Sequence, residues 1–440
     1  MVPGDELADP LPIEALTAAP DVEIRVPGGR SITNRALVCA ALSSGESRLI
    51  GVGRSEDTAA MAECLRALGT DIDTADGVDL LVTGVDGRPR GGVEVFTRLS
   101  GTTSRFIAPV AALADGPVRI DAAEPMRARP MGDMLEALRQ LGVAVTEEGE
   151  PGHLPVTVTG PPTGGEVSVA GTVSSQFLSG LLLAGGALSG GLTIHRTTDR
   201  LVSAPYVAMT RRVMGAFGID VAEVPGGALV VPEGGYRATT YRVEPDAATA
   251  GYFLAAAAIT GGRVRVPELP PAALQADAAL VDVLEAMGAR VVREPAGVEV
   301  TGPAPGAHGR VHLRGGTFDL TAFSDMAPTV AAVAAFADEP VEVTGVGFIR
   351  GKETDRIAAS VAELQRCGVD ASETDDGFVV RPGGPGPHGA VIETYDDHRM
   401  AMSFALLGLV VPGIAIADPG CVAKTHPGFF ADLARLARRS

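Results

Sequence analysis

The sequence predicts an α/β fold of two domains, each made of three copies of one module. Two observations carry this prediction. The chain of 440 residues is too long for one core of usual size. One pattern also recurs six times: a polar start, a helix rich in Ala and Leu, a small turn and a short β-branched run. We therefore expect duplicated α/β modules that assemble into closed bodies.

The turns from helix to strand recur at a nearly constant interval. Counted at one residue per turn, successive turns lie 71, 74, 71, 77 and 75 residues apart. This interval exceeds that of the usual solenoid repeats, so it indicates a whole α/β module. The six turns lie at Gly45, Gly116, Gly190, Gly261, Asp338 and Gly413.

A strand candidate follows every turn, and its β-branched residues suit a pleated sheet. The candidates are Ser47–Val52, Val118–Asp121, Leu192–His195, Arg263–Val266, Val341–Thr344 and Ile414–Ala417.

A second helix follows each strand candidate. In five modules it ends with an apolar residue and a glycine, the C′ residue expected where a helix stops. The sixth module instead closes with a predicted helix over Phe429–Arg438. Six modules divide into three per domain, with a boundary near Tyr241–Asp246. The five glycines are Gly69, Gly142, Gly218, Gly288 and Gly368.

Charge and cysteine content narrow the function. The net charge of −18 argues against non-specific binding to nucleic acid or to a membrane surface, so an anion site here is a local basic cleft. Residues 1–19 lack the pattern of a signal or transit peptide. The most apolar windows, Phe177–Leu192 and Ser403–Ala417, are too short and too broken to cross a bilayer.

The cysteines lack metal-ligand spacing, which predicts free thiols in a reducing compartment and no structural zinc. Together with the missing targeting pattern, this leads us to expect a cytoplasmic protein. The four residues are Cys39, Cys64, Cys367 and Cys421.

The segment Pro27–Arg35 predicts an anion-binding helix start. Its two glycines allow the backbone to approach a ligand closely, and Ser31 and Thr33 are residue types that cap helices. A helix N-terminus also attracts negative charge. The segment equally fits an ordinary capped helix with two surface arginines.

Polar residues begin the first helix of every module. If the modules pack pseudo-symmetrically, these N-termini converge between two domains and attract anionic ligands. The alternative is that helix caps are simply polar, but four of the six starts add Arg, Gln or His beyond the needs of a cap. The starts are Arg30-Ser31, Gly101–Arg105, Ser174–Gln176, Asp246, Ser324-Asp325 and Asp396–Arg399.

Mixed acidic and basic residues mark the C-terminal half. Gly351–Arg356 places two carboxylates and two cations before a helix, and Lys424–Pro427 carries a lysine and a histidine. On an isolated helix, Gly351–Arg356 would usually form a solvated salt-bridge face. A single histidine such as His398 is more often a hydrogen-bonded structural residue than a base.

Eight short motifs occur in the order Arg30-Ser31-x-Thr33-Asn34-Arg35, Gly101-Thr102, Arg127–Pro130, Ser174–Phe177, Ser203-x-Pro205-Tyr206, Lys352–Arg356, Asp397–Ala401 and Lys424-Thr425. Together they resemble the 3-phosphoshikimate 1-carboxyvinyltransferase (EPSP synthase) family of enolpyruvyl transferases. The similarity runs from about Val26 to the C-terminus.

The resemblance implies a two-domain inside-out α/β barrel with three βαβαββ repeats per domain and the active site in the interdomain cleft. Residues 28–242, with modules one to three, would form the shikimate-phosphate side. Residues 1–27 and 243–440, with modules four to six, would form the side that carries the catalytic Asp, Glu and Lys.

The implied reaction transfers the enolpyruvyl group of phosphoenolpyruvate to the 5-hydroxyl of shikimate 3-phosphate and releases phosphate, without metal or organic cofactor. It belongs to the shikimate pathway toward chorismate and the aromatic amino acids. Such a reaction needs an acid, a base and cations for the substrate anions. We expect small anionic substrates as the partners, and a monomer.

By the resemblance, Asp325 is the base on the attacking hydroxyl, Glu353 and Lys424 move protons to and from the methylene carbon, and His398 supports them. The residues implied for phosphoenolpyruvate are Arg30, Gly101, Arg129, Gln176, Arg356, Arg399 and Lys424. Those implied for shikimate 3-phosphate are Arg30, Ser31, Arg35, Ser174, Ser175, Gln176, Ser203, Tyr206, Asp325 and Lys352.

Several positions depart from the usual family pattern, and four of them stand out. Arg30 stands in place of a lysine that contacts both substrates, and arginine is longer, planar and permanently charged. Leu99 replaces an asparagine beside the phosphoenolpyruvate site. Phe106 replaces a proline, and His426 replaces a phenylalanine.

These departures leave two other hypotheses open. One is a paralogue of specialised metabolism that acts on a shikimate-type ring as a lyase or dehydratase, or that uses another acceptor. The other is a non-catalytic anion-binding or regulatory protein. The enolpyruvyl transferase that acts on UDP-N-acetylglucosamine is less favoured, because its Lys-Asn pair and loop cysteine have no evident counterpart in this sequence.

Overall fold

The computed structural model describes residues 7–75, 79–170, 175–198, 204–306, 310–383 and 386–437. The chain divides into two compact units. The central unit is Gly28–Glu244, and the terminal unit combines Met1–Pro27 with Pro245–Ser440.

The terminal unit begins with the short strands β1 (Leu11–Pro12) and β2 (Asp21–Glu23). The elements of the central unit follow in the order α1 (Arg30–Leu42), β3 (Glu46–Ile50), α2 (Glu56–Ala67), β4 (Asp71–Ala75), β5 (Asp79–Thr83), β6 (Val93–Phe96), α3 (Gly101–Ala111), β7 (Pro117–Asp121), α4 (Glu124–Arg127), α5 (Gly132–Gln140), β8 (Ala144–Glu147), β9 (Val156–Thr159), β10 (Gly165–Val169), α6 (Ser175–Gly185), β11 (Leu192–Arg196), α7 (Ala204–Ala216), β12 (Ala222–Glu223), β13 (Leu229–Val231) and β14 (Thr240–Arg242).

The terminal unit then resumes. Its elements are α8 (Ala247–Thr260), β15 (Arg263–Pro267), a 3-10 helix (Ala276–Ala279), α9 (Leu280–Ala286), β16 (Arg290–Glu294), β17 (Gly297–Thr301), β18 (Gly316–Asp319), a 3-10 helix (Ser324–Met326), α10 (Ala327–Ala334), β19 (Val341–Thr344), a 3-10 helix (Gly347–Gly351), α11 (Arg356–Arg366), β20 (Asp370–Thr374), β21 (Gly377–Arg381), β22 (Val391–Ile392), α12 (His398–Gly408), β23 (Ala415–Ile416), a 3-10 helix (Pro419–Lys424), α13 (Phe429–Ala434) and a final 3-10 helix (Arg435–Ala437).

The strands of the described residues form six small sheets, and five of them share one topology. In the sheet β6-β7-β9-β8, the first two strands are parallel and are joined through α3, while β8 and β9 form an antiparallel hairpin that pairs with β7. The register aligns Val93 with Val118 and Val118 with Val158. This is the repeating βαβαββ module, and it confirms the repeat predicted from the turn spacing.

The sixth module has a smaller sheet than the other five. Its sheet has three strands in the described residues, in the order β1-β23-β22, and lacks the closing hairpin. Instead β1, from the N-terminal segment, pairs antiparallel with β23, with Leu11 opposite Ile416.

Two strands pair with partners that are far away in the sequence but belong to the same unit. β2 precedes α1 along the chain, yet it pairs with β15 in the terminal unit, with Val22 opposite Val264. β14 precedes α8, yet it pairs with β3 in the central unit, with Tyr241 opposite Leu49. Each unit therefore completes one of its sheets with a strand from a distant part of the sequence.

The first helices of the modules are buried on nearly all sides. Every residue of α12 is buried, and so is all of α8 except Thr260 and all of α3 except Thr102. A helix that is apolar around its whole circumference has to be enclosed by other elements. The polar residues that begin these helices therefore lie at the N-terminal ends of buried helices.

The glycines predicted to end the second helices are confirmed, because all five adopt the positive φ of a C′ residue. Their φ values are 102° for Gly69, 80° for Gly142, 91° for Gly218, 114° for Gly288 and 79° for Gly368.

Two local predictions need correction. α1 begins at Arg30 with Gly29 at its N-cap and without a side-chain cap, so Ser31 and Thr33 lie inside the first turn. Thr33 Oγ1 instead accepts a hydrogen bond from the N–H of Gly53 at 3.0 Å. The last helix is α-helical only over Phe429–Ala434, because its final turn tightens to a 3-10 helix.

Candidate functional site

The described residues of all six predicted polar starts lie at or beside the beginning of a helix. Asp246 and Asp397 cap α8 and α12 with their side chains, and Ser100 caps α3. Each accepts a hydrogen bond from a backbone N–H of the first turn, which satisfies one of the donors that a helix start leaves open. Each cap therefore fixes the start of its helix, and Asp397 in addition accepts hydrogen bonds from Arg356.

An acid–base cluster lies in the terminal unit. Its members, brought together from four segments of the chain, are Asp325, Glu353, Arg356, Asp397, Arg399 and Lys424.

Glu353 lies between two cations of the acid–base cluster. Lys424 Nζ donates to Glu353 Oε1 at 2.7 Å, and Arg356 Nη2 donates to Glu353 Oε2 at 2.9 Å. Burial disfavours its charged form, yet Arg356, Lys424 and His398 outweigh burial and lower the pKa of Glu353 well below its ordinary value. Glu353 is therefore a carboxylate at neutral pH and can accept a proton.

Asp325 bridges two arginines. Arg356 Nη1 donates to Asp325 Oδ1 at 3.0 Å, and Arg399 Nη2 donates to Asp325 Oδ2 at 2.5 Å. Its side chain is 18% exposed, whereas those of Arg356 and Arg399 are 2% and 4% exposed. Of these three side chains, the carboxylate of Asp325 is thus the most exposed, and two buried guanidinium groups orient it.

Asp397 accepts hydrogen bonds from both Arg356 and Arg399. Its fully buried carboxylate accepts from Arg356 Nε at 2.7 Å and from Arg356 Nη2 at 3.2 Å. It also accepts from the backbone N–H of Arg399 at 2.8 Å. Burial opposes the charge of Arg356, but Asp397, Glu353 and Asp325 raise the pKa of that guanidinium above its usual value. The interpretation of Gly351–Arg356 as a solvated salt-bridge face is wrong for Arg356.

Tyr252 joins this cluster through Arg399, and the sequence analysis did not identify it. Its hydroxyl accepts from Arg399 Nη1 at 3.2 Å, and burial raises the pKa of Tyr252. In the sequence this tyrosine lies in an alanine-rich apolar helix and is indistinguishable from a core residue.

His398 is also buried, with Nδ1 3.7 Å from Asp397 Oδ1. Lys352 lies after the 3-10 helix Gly347–Gly351, with Nζ 6.0 Å from the ring centre of Phe348.

A second group of predicted residues lies in the central unit, around the start of α3. Arg105 Nη1 donates to Gln176 Oε1 at 2.5 Å, and Gln176 Nε2 donates to Thr102 Oγ1 at 3.0 Å. A Cβ at Gly101 would lie 3.1 Å from Arg129 Nη1 and 3.4 Å from Arg105 Nη1. Glycine at this position therefore makes room for two guanidinium groups at a helix N-terminus, which favours an anion there.

Arg30 is paired with a residue that the sequence analysis did not select. Arg30 Nη1 lies 3.4 Å from Asp57 Oδ2, in the first turn of α2. Both side chains are largely buried, at 18% and 12% exposure. The backbone carbonyl of Asp57 also accepts from Thr103 Oγ1 at 3.3 Å, which ties α2 to the start of α3. The capping pair Ser55 and Thr58 was a local signal for this helix start, but not for the ion pair.

Arg35 is turned toward protein partners. Its Nε donates to Thr210 Oγ1 at 2.7 Å and its Nη1 to the carbonyl of Ser31 at 2.8 Å. Its Nη2 lies 3.3 Å from both Ser179 Oγ and the carbonyl of Tyr206. Burial lowers the pKa of Arg35 to about 10. The geometry thus joins two predicted ligand residues, Ser31 and Tyr206, through a buried arginine.

The remaining predicted residues divide by what the structure describes. Ser175 begins α6 and is buried. Ser174 and Ser203 lie outside the described residues. Within the described ranges, no group of three or more His, Cys, Asp or Glu side chains is arranged to hold a metal ion. No helix of those ranges is both long and apolar enough to cross a membrane.

The chain is similar to one enzyme family along nearly its whole length. The model of the family described as EPSP synthase (3-phosphoshikimate 1-carboxyvinyltransferase) matches residues 17–433. A 3-phosphoshikimate 1-carboxyvinyltransferase from Nostoc punctiforme is 43% identical over 426 residues, which cover 96% of this chain and 98% of that relative.

Two further relatives agree. A protein of the same name from Bifidobacterium longum is 42% identical over 435 residues, covering 96% of this chain and 95% of the relative. The solved structure of EPSP synthase from Acinetobacter baumannii aligns with a TM-score of 0.82 at 25% identity and covers 97% of both chains.

Proposed function

The chain belongs to the EPSP synthase (3-phosphoshikimate 1-carboxyvinyltransferase) family, and from this premise we propose how its residues carry out the reaction. The reaction moves the enolpyruvyl group of phosphoenolpyruvate to the 5-hydroxyl of shikimate 3-phosphate and releases phosphate. It is a transferase step of the shikimate pathway toward the aromatic amino acids.

The contact between Lys424 and Glu353 is the observation that carries this mechanism. An ammonium group and a carboxylate lie 2.7 Å apart, so a proton donor and a proton acceptor stand side by side. Addition to the enol phosphate requires a proton to be given to the methylene carbon, and elimination requires one to be taken back from the resulting methyl group. We assign the first transfer to Lys424 and the second to Glu353.

Asp325 is the base for the acceptor. Because each of its oxygens already receives one guanidinium N–H, its orientation is set before the substrate binds. In the addition step, Lys424 protonates the methylene carbon, the 5-hydroxyl oxygen bonds to the central carbon of phosphoenolpyruvate, and Asp325 takes the hydroxyl proton.

The elimination step reverses the proton movement. Glu353 takes a proton from the methyl group, the double bond re-forms, and the bond from carbon to the phosphate oxygen breaks with its electron pair going to phosphate. Of the two protons then held by Asp325 and Glu353, one returns to Lys424 and one leaves with phosphate. The proton balance thus closes without metal or redox chemistry being needed by any of these groups.

The cations bind the substrate anions. In the terminal unit, we assign phosphoenolpyruvate to Arg356 and Arg399. In the central unit, we assign it to Arg30, Arg129 and Gln176. The helix N-terminus at Gly101 adds a further site that favours an anion. Shikimate 3-phosphate is assigned to Ser31, Tyr206 and Lys352, with Ser174, Ser175 and Ser203. That both groups act on one pair of substrates remains a prediction.

Incubation with shikimate 3-phosphate, with and without phosphoenolpyruvate, tests the proposed function. Phosphate release and product mass are followed together. Phosphate that forms only with both substrates, beside an enolpyruvyl ether, is the expected result. Turnover of shikimate 3-phosphate alone would contradict it and favour the lyase hypothesis, whereas binding without turnover would favour a regulatory protein. Glu353→Ala is the matched control for contaminating activity.

The cysteines bear on the proposed cellular setting. All four cysteines are free thiols, which supports a reducing compartment such as the cytoplasm. A monomer with small anionic substrates is the simplest state for the mechanism, and sedimentation at micromolar concentration tests it.

A further inference from the structure

A fully buried carboxylate, Glu363, lies on α11 two turns beyond Arg356. It accepts from the hydroxyl of Tyr395 at 2.7 Å and from the backbone N–H of Glu393 at 3.1 Å. Arg366 donates to it at 2.9 Å through Nε and at 3.3 Å through Nη2. A carboxylate can be buried stably only with such a set of partners. Two of these partners belong to one loop.

That loop, Glu393–Asp396, has an uncommon backbone. Tyr395 and Asp396 have φ values of +56° and +55°, so two successive residues with side chains adopt the left-handed region. The N–H of Asp397 donates to the carbonyl of Thr394 at 2.9 Å and closes the turn. Conformations of this kind persist only where surrounding contacts hold them, and they concentrate at functional sites.

The acid–base cluster follows the loop directly. Asp397 receives Arg356 and caps α12, and Arg399 contacts Asp325. The loop and α11 are therefore joined at two places: at Arg356 with Asp397, and two turns later at Glu363 with the loop. The contacts of Glu363 with the loop hold Tyr395 and Asp396 in their strained backbone conformation. They therefore determine where Asp397 and Arg399 can lie.

We propose that Glu363 and Tyr395 are positioning residues, which hold the Glu393–Asp396 loop in its left-handed turn and thereby fix Asp397 and Arg399 for the reaction. Neither group needs to touch a substrate. Without the tether, the loop relaxes toward an ordinary backbone and the contact of Arg399 with Asp325 lengthens. The kinetic readout of this inference rests on the proposed function.

Two substitutions test the proposal. Tyr395→Phe removes only the hydroxyl from a residue that is 41% exposed, so we expect the variant to fold normally. Glu363→Gln keeps the shape but removes the charge. Tyr241→Phe in β14 and Glu294→Gln on the surface are matched controls. We expect kcat/KM for phosphoenolpyruvate to fall about 5- to 50-fold in both test variants, with the equilibrium affinity for shikimate 3-phosphate changed less than threefold.

Hydrogen exchange of the ligand-free protein supplies a second readout. We expect the amides of residues 393–399 to exchange at least tenfold faster in Tyr395→Phe than in the unaltered protein, with other regions unchanged. Faster exchange or a lower Tm with unaltered kinetics would show a merely structural tether and overturn the proposal, and so would unaltered exchange. If the unaltered enzyme forms no enolpyruvyl ether, the proposed function fails. The same loss is then expected in whatever reaction it does catalyse on shikimate 3-phosphate.

Discussion

Lys424 and Glu353 are in direct contact, with Nζ donating to Oε1 at 2.7 Å, although they lie 71 residues apart in the sequence. Their side chains are 19% and 18% exposed. At neutral pH Glu353 is a carboxylate, because nearby cations overcome burial and lower the pKa of Glu353. The tertiary structure thus places the two groups to which we assign the proton transfers in direct hydrogen-bond contact.

Glu353→Gln should lower kcat by roughly 10²- to 10⁴-fold, because the amide cannot accept a proton. The KM for phosphoenolpyruvate should change less than about tenfold, since Arg356 and Lys424 keep their charges. Steady-state kinetics measures both values, and Glu294→Gln on the surface is the control. Turnover within tenfold of the unaltered enzyme would show that Glu353 is not the proton acceptor.

Asp325→Asn should also reduce kcat by on the order of 10² to 10⁴, because the variant keeps the shape but loses the base. Single-turnover mixing with both substrates isolates this chemical step. The exposed Asp375 provides the matched control as Asp375→Asn. A variant with a normal chemical step and only a raised KM would reassign Asp325 to substrate binding.

Arg30→Lys tests the departure at the first helix start. The shorter side chain loses its contact with Asp57, so we expect kcat/KM for phosphoenolpyruvate to fall about tenfold. Asp57→Asn should act through the same contact, and the double variant should be less than additive by about 0.5 kcal/mol or more. Arg290→Lys on the surface is the control. Higher activity in Arg30→Lys would instead show that Arg30 adapts the site to another acceptor.

Arg35→Lys separates packing from ligand binding. The substitution breaks hydrogen bonds to Thr210 and Ser179 inside the core, so it should destabilise the central unit by about 2 to 3 kcal/mol and lower its Tm by roughly 5 to 10 °C. Arg211→Lys, at an exposed ion pair with Glu223, should change Tm by less than about 1 °C. An unchanged Tm together with lost affinity for shikimate 3-phosphate would identify Arg35 as a direct ligand contact.

Asp277 gives the terminal unit a pH-dependent stability. Burial, with the nearby charges of Asp325 and Asp246, raises the pKa of Asp277 to about 6, although Arg399 opposes this. The folded protein therefore binds the proton more tightly than the unfolded chain, whose aspartates titrate near pH ~4. This contribution to stability is present below pH ~4 and is lost as the pH rises to about 6.

Asp277→Asn removes that dependence. Relative to the unaltered protein, the variant should gain on the order of 2 to 3 kcal/mol between pH ~4 and pH ~7. The difference in Tm between variant and unaltered protein, measured across this range, should rise with pH. A difference that stays constant would mean that Asp277 titrates normally. The exposed Asp375 supplies the matched control variant, Asp375→Asn.

Much of the fold could be predicted because its signals are local. The turn spacing identified the modules, and the glycines after the second helices have the positive φ that a C′ residue requires. The starts of α8 and α12 were visible as Asp246 and Asp397, since a cap bonds to the backbone within its own first turn. The three-stranded sixth sheet was not predictable, because β1 and β23 come from opposite ends of the chain.

The sequence by itself determined which residue types the site contains and which helix starts carry them. Only the tertiary structure decided which of these side chains meet. Arg356 contacts Asp397 across 41 positions and Arg399 contacts Asp325 across 74, and no spacing rule in the sequence links either pair. Arg35 and Arg399 are both arginines near helix starts, yet one is bound to neutral core groups and the other to Asp325. The physical reason is that caps and turns depend on neighbours along the chain, whereas burial, ion pairing and pKa depend on how helices of different modules pack.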